Sequence, residues 1–196
     1  MQIGSVSALF SGFPGDGPEM AYLRAWAPTY RRETWSRALA ALGVDGQTLG
    51  LELADAHLAC FAASCRLYDD VVPALEQLGG AYALAVITNG PADVQRAKLR
   101  TSGLDRFFPT VLVSSEIGFA KPDERAFAAA TRALGASTVE IVMIGDHLER
   151  DVIGARKAGI TKAIWIDRTG SQPDTKTEVV HRITSLTQLV SALRTI

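Results

Sequence analysis

The 196-residue sequence has few of the features that mark membrane, secreted or nucleic-acid-binding proteins. Its 20 basic and 21 acidic residues leave a net charge of −1, so no positive excess points to nucleic acid or to an anionic lipid surface. No apolar run approaches the roughly 18 residues that a membrane-spanning helix needs. The first ten residues lack the basic start of a secretory signal peptide. We therefore expect a cytoplasmic protein with no membrane or nucleic-acid partner.

Cysteine is scarce as well. Cys60 and Cys65 lie five residues apart in a helical stretch, where they fall on different faces, and the chain offers no third thiol. This usage favours two reduced, packed thiols over a disulfide or a metal site. At 47% hydrophobic and 21% charged residues, the composition excludes disordered and fibrous classes, and the length fits one domain with a modest insert.

The second half of the chain alternates short apolar runs with helical patterns. The predicted strands are 82–87, 110–115, 139–145 and 161–167 with an edge strand at 181–186, and the predicted helices are 91–104, 121–135, 148–159 and 186–194. This alternation is typical of βα units around a parallel sheet that is covered on both faces. The fold class is therefore α/β, with an open parallel sheet.

The segment from Pro18 to Arg66 is helical in pattern and contains no predicted strand. Its first helix should be kinked or interrupted at Pro28, and a second helix is predicted from Leu49 to Arg66. A helical hairpin inserted into an α/β domain is typical of a cap that closes over a site. We expect a core of residues 1–17 and 68–196, with a helical cap at 18–67.

Polar side chains follow three of the predicted strands, where open α/β sheets bind ligands. Thr88 and Asn89 could form an anion cradle at a helix start, and Lys121 precedes a helix where a cation opposes the dipole. Asp146 and Asp151 could hold Mg²⁺, which prefers oxygen ligands. Each group also fits an ordinary capping turn or a solvated surface charge. Their order along the chain is more specific than any one of them.

The glycine before Asp146 adds to the functional interpretation, because Gly145 would let the backbone approach a ligand closely.

Taken together, ITNG, the lysine of AKPDERAF and the acids of GDHLERD resemble motifs two, three and four of the haloacid dehalogenase (HAD) superfamily. Residues 95–122 are especially similar to the phosphatase branch that includes N-acylneuraminate-9-phosphatase and pyrimidine nucleotidase-like enzymes. The resemblance implies a Rossmann-like core with an inserted cap. It also implies Mg²⁺-dependent phosphoryl transfer through an aspartyl-phosphate.

The resemblance implies a role for each matched residue. Thr88 and Asn89 would bind the transferring phosphoryl group, and Lys121 would neutralise its charge. Asp146 would ligate Mg²⁺, while Asp151 would either hold a metal-bound water or support Lys121. These roles suit a reaction that depends on positioning and electrostatic stabilisation.

The first motif of that superfamily, DxDGT, is absent, and the sequence contains no DxD. By position, Ser11 stands where the nucleophilic Asp is expected and Phe13 where the acid/base is expected. Two explanations remain open: a start cropped from an active phosphatase, or a degenerate member whose first strand, at 4–10, is present without its acids. The second is favoured, because that strand lies centrally in this fold and its loss would leave its neighbours unpaired. Ser11 is a poor replacement, since its hydroxyl is neutral and the sequence shows no adjacent base.

Three functions follow from these features. The first is a HAD-type phosphomonoester hydrolase framework acting on a small phosphorylated metabolite, with Mg²⁺ held weakly because one carboxylate is missing. The second is a non-catalytic relative that binds a phosphorylated ligand or a protein partner. The third, a receiver-like signalling domain, is disfavoured by the helical insert and by the spacing of Asp146 and Asp151.

Overall fold

A computed structural model describes residues 9–170 and 181–196. Within them the helices are α1 (Pro18–Ala41), α2 (Gln47–Ala63), α3 (Val71–Gly79), α4 (Ala92–Thr101), α5 (Ser114–Ile117), α6 (Glu124–Leu134), α7 (Gly154–Lys157) and α8 (Leu189–Leu193). The strands are β1 (Ala85–Thr88), β2 (Thr110–Val113), β3 (Val142–Gly145), β4 (Lys162–Ile166) and β5 (Arg182–Ile183). Short 3₁₀ turns lie at Asp105–Phe107 and Leu186–Gln188, and a π-helical segment lies at Leu148–Ile153.

The chain divides into two compact units. The first contains the described residues up to Arg66 together with Gly90–Gly103, and the second contains Leu67–Asn89 and the described residues from Leu104 to Ile196. The division expected from sequence, a core of 1–17 and 68–196 with a cap at 18–67, stays a prediction. Most of the strand predicted at 4–10 lies outside the described residues, and its last two residues, Leu9 and Phe10, form a turn instead.

The first unit contains a helical hairpin, as the sequence predicts. Helix α1 begins at Pro18, where a missing N–H costs nothing, and it continues past Pro28 without the predicted interruption. Helix α2 starts two residues earlier than predicted and packs closely on α1 near Gly50. A Cβ atom at Gly50 would lie 2.5 Å from the Ser36 hydroxyl oxygen, so the close approach requires glycine.

The strands of the second unit are all parallel, which confirms the predicted α/β class. Strand β1 pairs with β2, from Ala85 opposite Thr110 to Thr88 opposite Val113. Strand β4 lies between β3 and β5. Alternate residues of β3 and β4 enter two apolar clusters. One cluster contains Phe127, Met143 and Trp165, and the other contains Leu78, Ile164 and Leu189. Both faces of the sheet at β3 and β4 are therefore covered by apolar side chains, as is usual for parallel sheets.

The described strands differ from expectation in one respect, because they form two sheets, β1–β2 and β3–β4–β5. Among the described residues of the second unit, no strand pairs with the outer edge of β1 or of β3. Both edges line one cavity of about 660 Å³. In the part of the chain that the structure describes, no helix is both long enough and apolar enough to cross a bilayer.

Candidate functional site

One end of this cavity gathers all five strand-end residues that the sequence singled out in the second unit. Its lining includes Thr88, Asn89, Lys121, Asp146 and Asp151. Thr88 is the last residue of β1, Asn89 follows it and Asp146 follows β3, so the carboxyl ends of these two strands meet at one place. The structure thus brings the five residues together, while their roles in catalysis stay predictions.

Asn89 is bound to the main chain of Lys121 by two reciprocal hydrogen bonds. The Asn89 side-chain amide donates to the Lys121 carbonyl oxygen at 2.8 Å, and the Lys121 N–H donates to Asn89 Oδ1 at 2.9 Å. The side chain of Asn89 is thereby fixed, and it holds the loop before α6 against the end of β1. Its geometry is that of a residue that positions Lys121.

Lys121 also reaches the turn that follows β3. Its Nζ lies 2.8 Å from Asp151 Oδ1, in an ion pair whose side chains are only 9% and 3% exposed. The other carboxylate oxygen of Asp151 accepts a hydrogen bond from the His147 N–H at 3.1 Å. Of the two roles the sequence left open for Asp151, this geometry favours support of Lys121.

Gly145 is required for a different reason from the one the sequence suggested. A Cβ atom there would lie 2.4 Å from the Cβ of Asp151, so the glycine makes room for the buried carboxylate. The group that lies close to the Gly145 main chain is therefore the Asp151 side chain of the same protein.

Asp146 is exposed at the mouth of the cavity, unlike Asp151. Its carbonyl oxygen accepts a hydrogen bond from Trp165 Nε1 at 3.0 Å, which anchors the main chain at the end of β3. Among the described residues, no three His, Cys, Asp or Glu side chains cluster closely enough to form a metal site by themselves. Of the two predicted metal ligands, Asp146 has the more exposed carboxylate.

Ser11, the residue at the expected nucleophile position, is fully buried in the first unit. Its hydroxyl donates to the carboxylate of Asp93 at 2.8 and 3.0 Å, and its carbonyl oxygen accepts from Arg31. Burial lowers the pKa of the Arg31 guanidinium, and the nearby carboxylates of Asp93 and Asp55 offset part of that effect. The expectation that Ser11 has no base beside it is therefore wrong, although its burial keeps the hydroxyl from solvent.

Phe13, at the expected acid/base position, is 3% exposed and packs with Ala27 and Trp26 of α1. It has a positive φ of 49°, and its N–H donates to the Ser11 hydroxyl oxygen at 2.9 Å. A carboxylate in place of Phe13 would be buried among apolar side chains, where a charge is costly.

Asp70 directly precedes α3, and its side chain does not bond to that helix. It accepts hydrogen bonds from Arg168 at 2.8 and 2.9 Å, from the Ser185 hydroxyl at 2.7 Å and from the Leu186 N–H at 2.8 Å. These donors, Arg168 foremost, lower the pKa of Asp70 to about 2. The residue joins distant parts of the second unit, and its role is structural.

Sequence reasoning missed three residues around the predicted sites. Arg150 lines the cavity with its Nε 3.8 Å from Asp151 Oδ1. Trp165 anchors Asp146, and Asp93 binds Ser11. A sequence signal existed only for Asp93, an acid in the first turn of the helix after ITNG.

Comparisons with known proteins identify the family of this chain. The sequence model of the haloacid dehalogenase-like hydrolase family matches residues 17–159 of this chain. Phosphoserine phosphatase of Thermus thermophilus is 39% identical over 160 residues, which are 80% of this chain and 62% of that protein. N-acylneuraminate-9-phosphatase of Mus musculus is 30% identical over 131 residues, 66% of this chain and 53% of that protein. The chain thus spans less than two thirds of the length of these curated relatives.

A solved structure extends the likeness to the fold. The crystal structure of YfnB from Bacillus subtilis, a HAD-hydrolase bound to magnesium, is 26% identical and superposes with a TM-score of 0.69. The match covers 84% of this chain and 72% of that one. On the extent of the family match, this chain belongs to the haloacid dehalogenase-like hydrolases.

Proposed function

We propose that the protein is a phosphomonoester hydrolase framework that binds a small phosphorylated metabolite at the mouth of the cavity in its second unit. The observation that carries the proposal is the placement of Lys121. Its main chain is held by Asn89 and its ammonium by Asp151, at the point where two parallel strands end. A fixed cation at such a strand end suits a phosphoryl group. The names of the curated relatives, which are phosphatases, support the same activity.

In this proposal each of the described side chains has its own role. Lys121 and Thr88 bind the phosphoryl oxygens, and the Lys121 ammonium offsets negative charge that develops on them. Asn89 and Asp151 position Lys121, so that its ammonium does not have to be ordered when the ligand binds. A site whose charges are already in place needs less reorganisation as the reaction proceeds.

The donor set at this site fits a weakly held Mg²⁺. Asp146 offers an exposed carboxylate, whereas both oxygens of Asp151 already have partners. Mg²⁺ usually binds through one or two carboxylates and substrate phosphates while it keeps several waters. When bound, the ion would neutralise charge on the phosphoryl oxygens. Asp146 would hold it, and Trp165 would keep the main chain of Asp146 in place.

A second candidate function is the binding of a phosphorylated ligand without turnover. The observation that favours it is Ser11, whose neutral hydroxyl is buried and bound to Asp93. Changing Ser11 to Asp would not by itself restore a carboxylate nucleophile, since it would set two carboxylates against each other where the Ser11 hydroxyl now donates. A fair rescue variant therefore combines Ser11→Asp with Asp93→Asn.

Hydrolysis of para-nitrophenyl phosphate with Mg²⁺ tests the proposal and separates the two functions. We expect turnover at least about 10³-fold below that of the Thermus thermophilus phosphatase assayed alongside, because an activated nucleophile contributes orders of magnitude. The residual turnover should disappear in Lys121→Met and persist in Lys157→Met, which removes an exposed lysine of the same unit.

Turnover equal to that of the relative would contradict the placement of Ser11 at the nucleophile position. Turnover that survives in Lys121→Met would contradict the site itself. Phosphate binding with no turnover at all would establish the second function.

A further inference from the structure

Arg150 lies beside the ion pair of Lys121 and Asp151 without a close bond to either residue. Its Nε is 3.8 Å from Asp151 Oδ1, the same oxygen that Lys121 Nζ approaches at 2.8 Å. A separation of 3.8 Å is too long for a hydrogen bond. Within the part of the chain that the structure describes, this buried Nε–H has no hydrogen-bond partner. A buried donor without an acceptor costs free energy, so an acceptor on a bound ligand would stabilise it.

The π-helical segment at Leu148–Ile153 places Arg150 at the cavity. Arg150 and Asp151 are consecutive residues, and both line the cavity. Their main chain is fixed by His147, because the Arg150 N–H donates to His147 Nδ1 at 3.3 Å and the Asp151 N–H donates to the His147 carbonyl oxygen at 2.8 Å. Segments of this type are rare and are frequent at functional sites. The main chain of Arg150 is thus held in place, while its side chain is 40% exposed.

The charges at this end of the cavity make Arg150 important for binding an anion. The charged side chains that line it are the bases Lys121 and Arg150 and the acids Asp146 and Asp151, whereas Glu140 lies before the opposite end of β3. The charge of Lys121 is already offset by Asp151 at 2.8 Å. Without Arg150 the four side chains would carry a net charge of −1, which repels a phosphate group. Arg150 removes this excess of negative charge.

We propose that Arg150 is a second binding residue for the phosphoryl group, beside Lys121. The two distances to Asp151 Oδ1 place Arg150 Nε at most 6.6 Å from Lys121 Nζ, which is the sum of 2.8 and 3.8 Å. Two charge-assisted hydrogen bonds of about 2.8 Å already span about 5.6 Å, and the spacing between two oxygens of one phosphoryl group adds to this. One group can therefore bond to both cations.

A guanidinium suits this role because its planar set of N–H donors matches two oxygens of a phosphoryl group. The inference rests on the proposed function, since it assigns a second cation to the same ligand group.

Calorimetric titration of the full-length chain with inorganic phosphate in the presence of EDTA tests the proposal, because all positive charge at the site then comes from the protein. Arg150→Met should weaken phosphate binding at least about 10-fold, since a charge-assisted hydrogen bond is lost. Arg150→Lys keeps the charge without the planar donors and should weaken binding less. Arg132→Met removes an exposed arginine in the last turn of α6 and should leave binding unchanged.

Urea denaturation without phosphate separates binding from a structural role. The guanidinium of Arg150 has no hydrogen bond among the described residues, so Arg150→Met should leave the free energy of unfolding unchanged. A loss of stability as large as that in Lys121→Met, or a failure to fold in both Arg150→Met and Arg150→Lys, would make Arg150 a structural residue and overturn the proposal.

The same titrations distinguish failure of this inference from failure of the proposed function. Phosphate binding that Lys121→Met weakens and Arg150→Met leaves unchanged would overturn the inference and leave the proposed function standing. Binding that both variants leave unchanged would contradict both. If Arg150→Met weakens the binding of phosphoglycolate but not of inorganic phosphate, Arg150 binds a carboxylate elsewhere on the ligand, and the inference is also overturned.

Discussion

Lys121 holds the two sides of the site together by two kinds of contact. Its main chain is bonded to Asn89, and its ammonium is paired with Asp151. Because both side chains of the pair are largely buried, removal of one partner leaves an uncompensated charge. Removal of both leaves none, so the two changes should not be additive.

Lys121→Met should therefore lower the free energy of unfolding by about 3 kcal/mol, and Asp151→Asn should have a similar effect. The double variant should be more stable than the sum of the two losses predicts. Urea denaturation measures all three variants, with Lys157→Met as the exposed control. Additive losses would show that the two side chains do not interact in solution.

Asp70 should make stability depend on pH in the acid range. Its pKa is lowered from 3.8 to about 2 by its donors, so its contribution is complete above pH 4 and is lost as the pH falls toward 2. Asp70→Asn should cost about 2 kcal/mol at neutral pH, and the difference from the unmodified chain should shrink between pH 4 and pH 2. Urea denaturation between pH 4 and pH 2 measures this difference in the free energy of unfolding. The exposed neighbour Asp69 gives the control, Asp69→Asn, and a difference that stays constant with pH would contradict the role of Asp70.

At the residue scale, the sequence was enough to predict the position of a side chain where neighbouring residues determine it. Thr88, Lys121 and Asp146 could be placed because each follows a recognisable strand. The contacts that fix the site residues could not be predicted, since they join distant positions. Ser11 and Asp93 lie 82 residues apart, and Asp70 and Arg168 lie 98 apart. No periodicity relates such pairs before the fold brings them together.

The turn between β3 and the π-helical segment is the element on which the site depends most. Gly145 ends the strand, and the Asp151 side chain packs directly on it. Gly145→Ala should displace Asp151 and cost about 1–3 kcal/mol, the range typical of overpacking.

Thermal unfolding measures this loss against a matched control. Gly79→Ala changes a helical glycine of α3 with no atom within 4 Å of the new Cβ, so it should be neutral or slightly stabilising. An alanine at 145 that is tolerated as well as the one at 79 would contradict the close packing of Asp151.

Element boundaries show where local sequence patterns stop being informative. Helix α6 has the predicted C-terminal glycine, with Gly135 in a left-handed conformation, but it begins only after Asp123 caps it. The strand predicted at 110–115 ends at Val113, since Ser114–Ile117 turn into a short helix. Apolar content indicated that a strand was present, whereas its end depends on which main-chain groups find a partner.

At the scale of the whole molecule, alternating patterns were enough to predict the α/β class and the helical hairpin of residues 18–66. They could not predict that the described strands form two sheets, because strand pairing is long-range. The family match over residues 17–159 includes parts of both units and leaves Ser11 and Phe13 outside it.

Phosphate binding by variants of Lys121 tests the proposed site most directly. Calorimetric titration of the full-length chain with inorganic phosphate, in the presence of Mg²⁺, should give saturable binding. Lys121→Met should weaken it at least about 10-fold, because a charge-assisted hydrogen bond is lost, while Lys157→Met should keep it. Circular dichroism confirms that each variant is folded under the conditions of the titration. Binding that Lys121→Met leaves unchanged would contradict a phosphate site at the ends of β1 and β3.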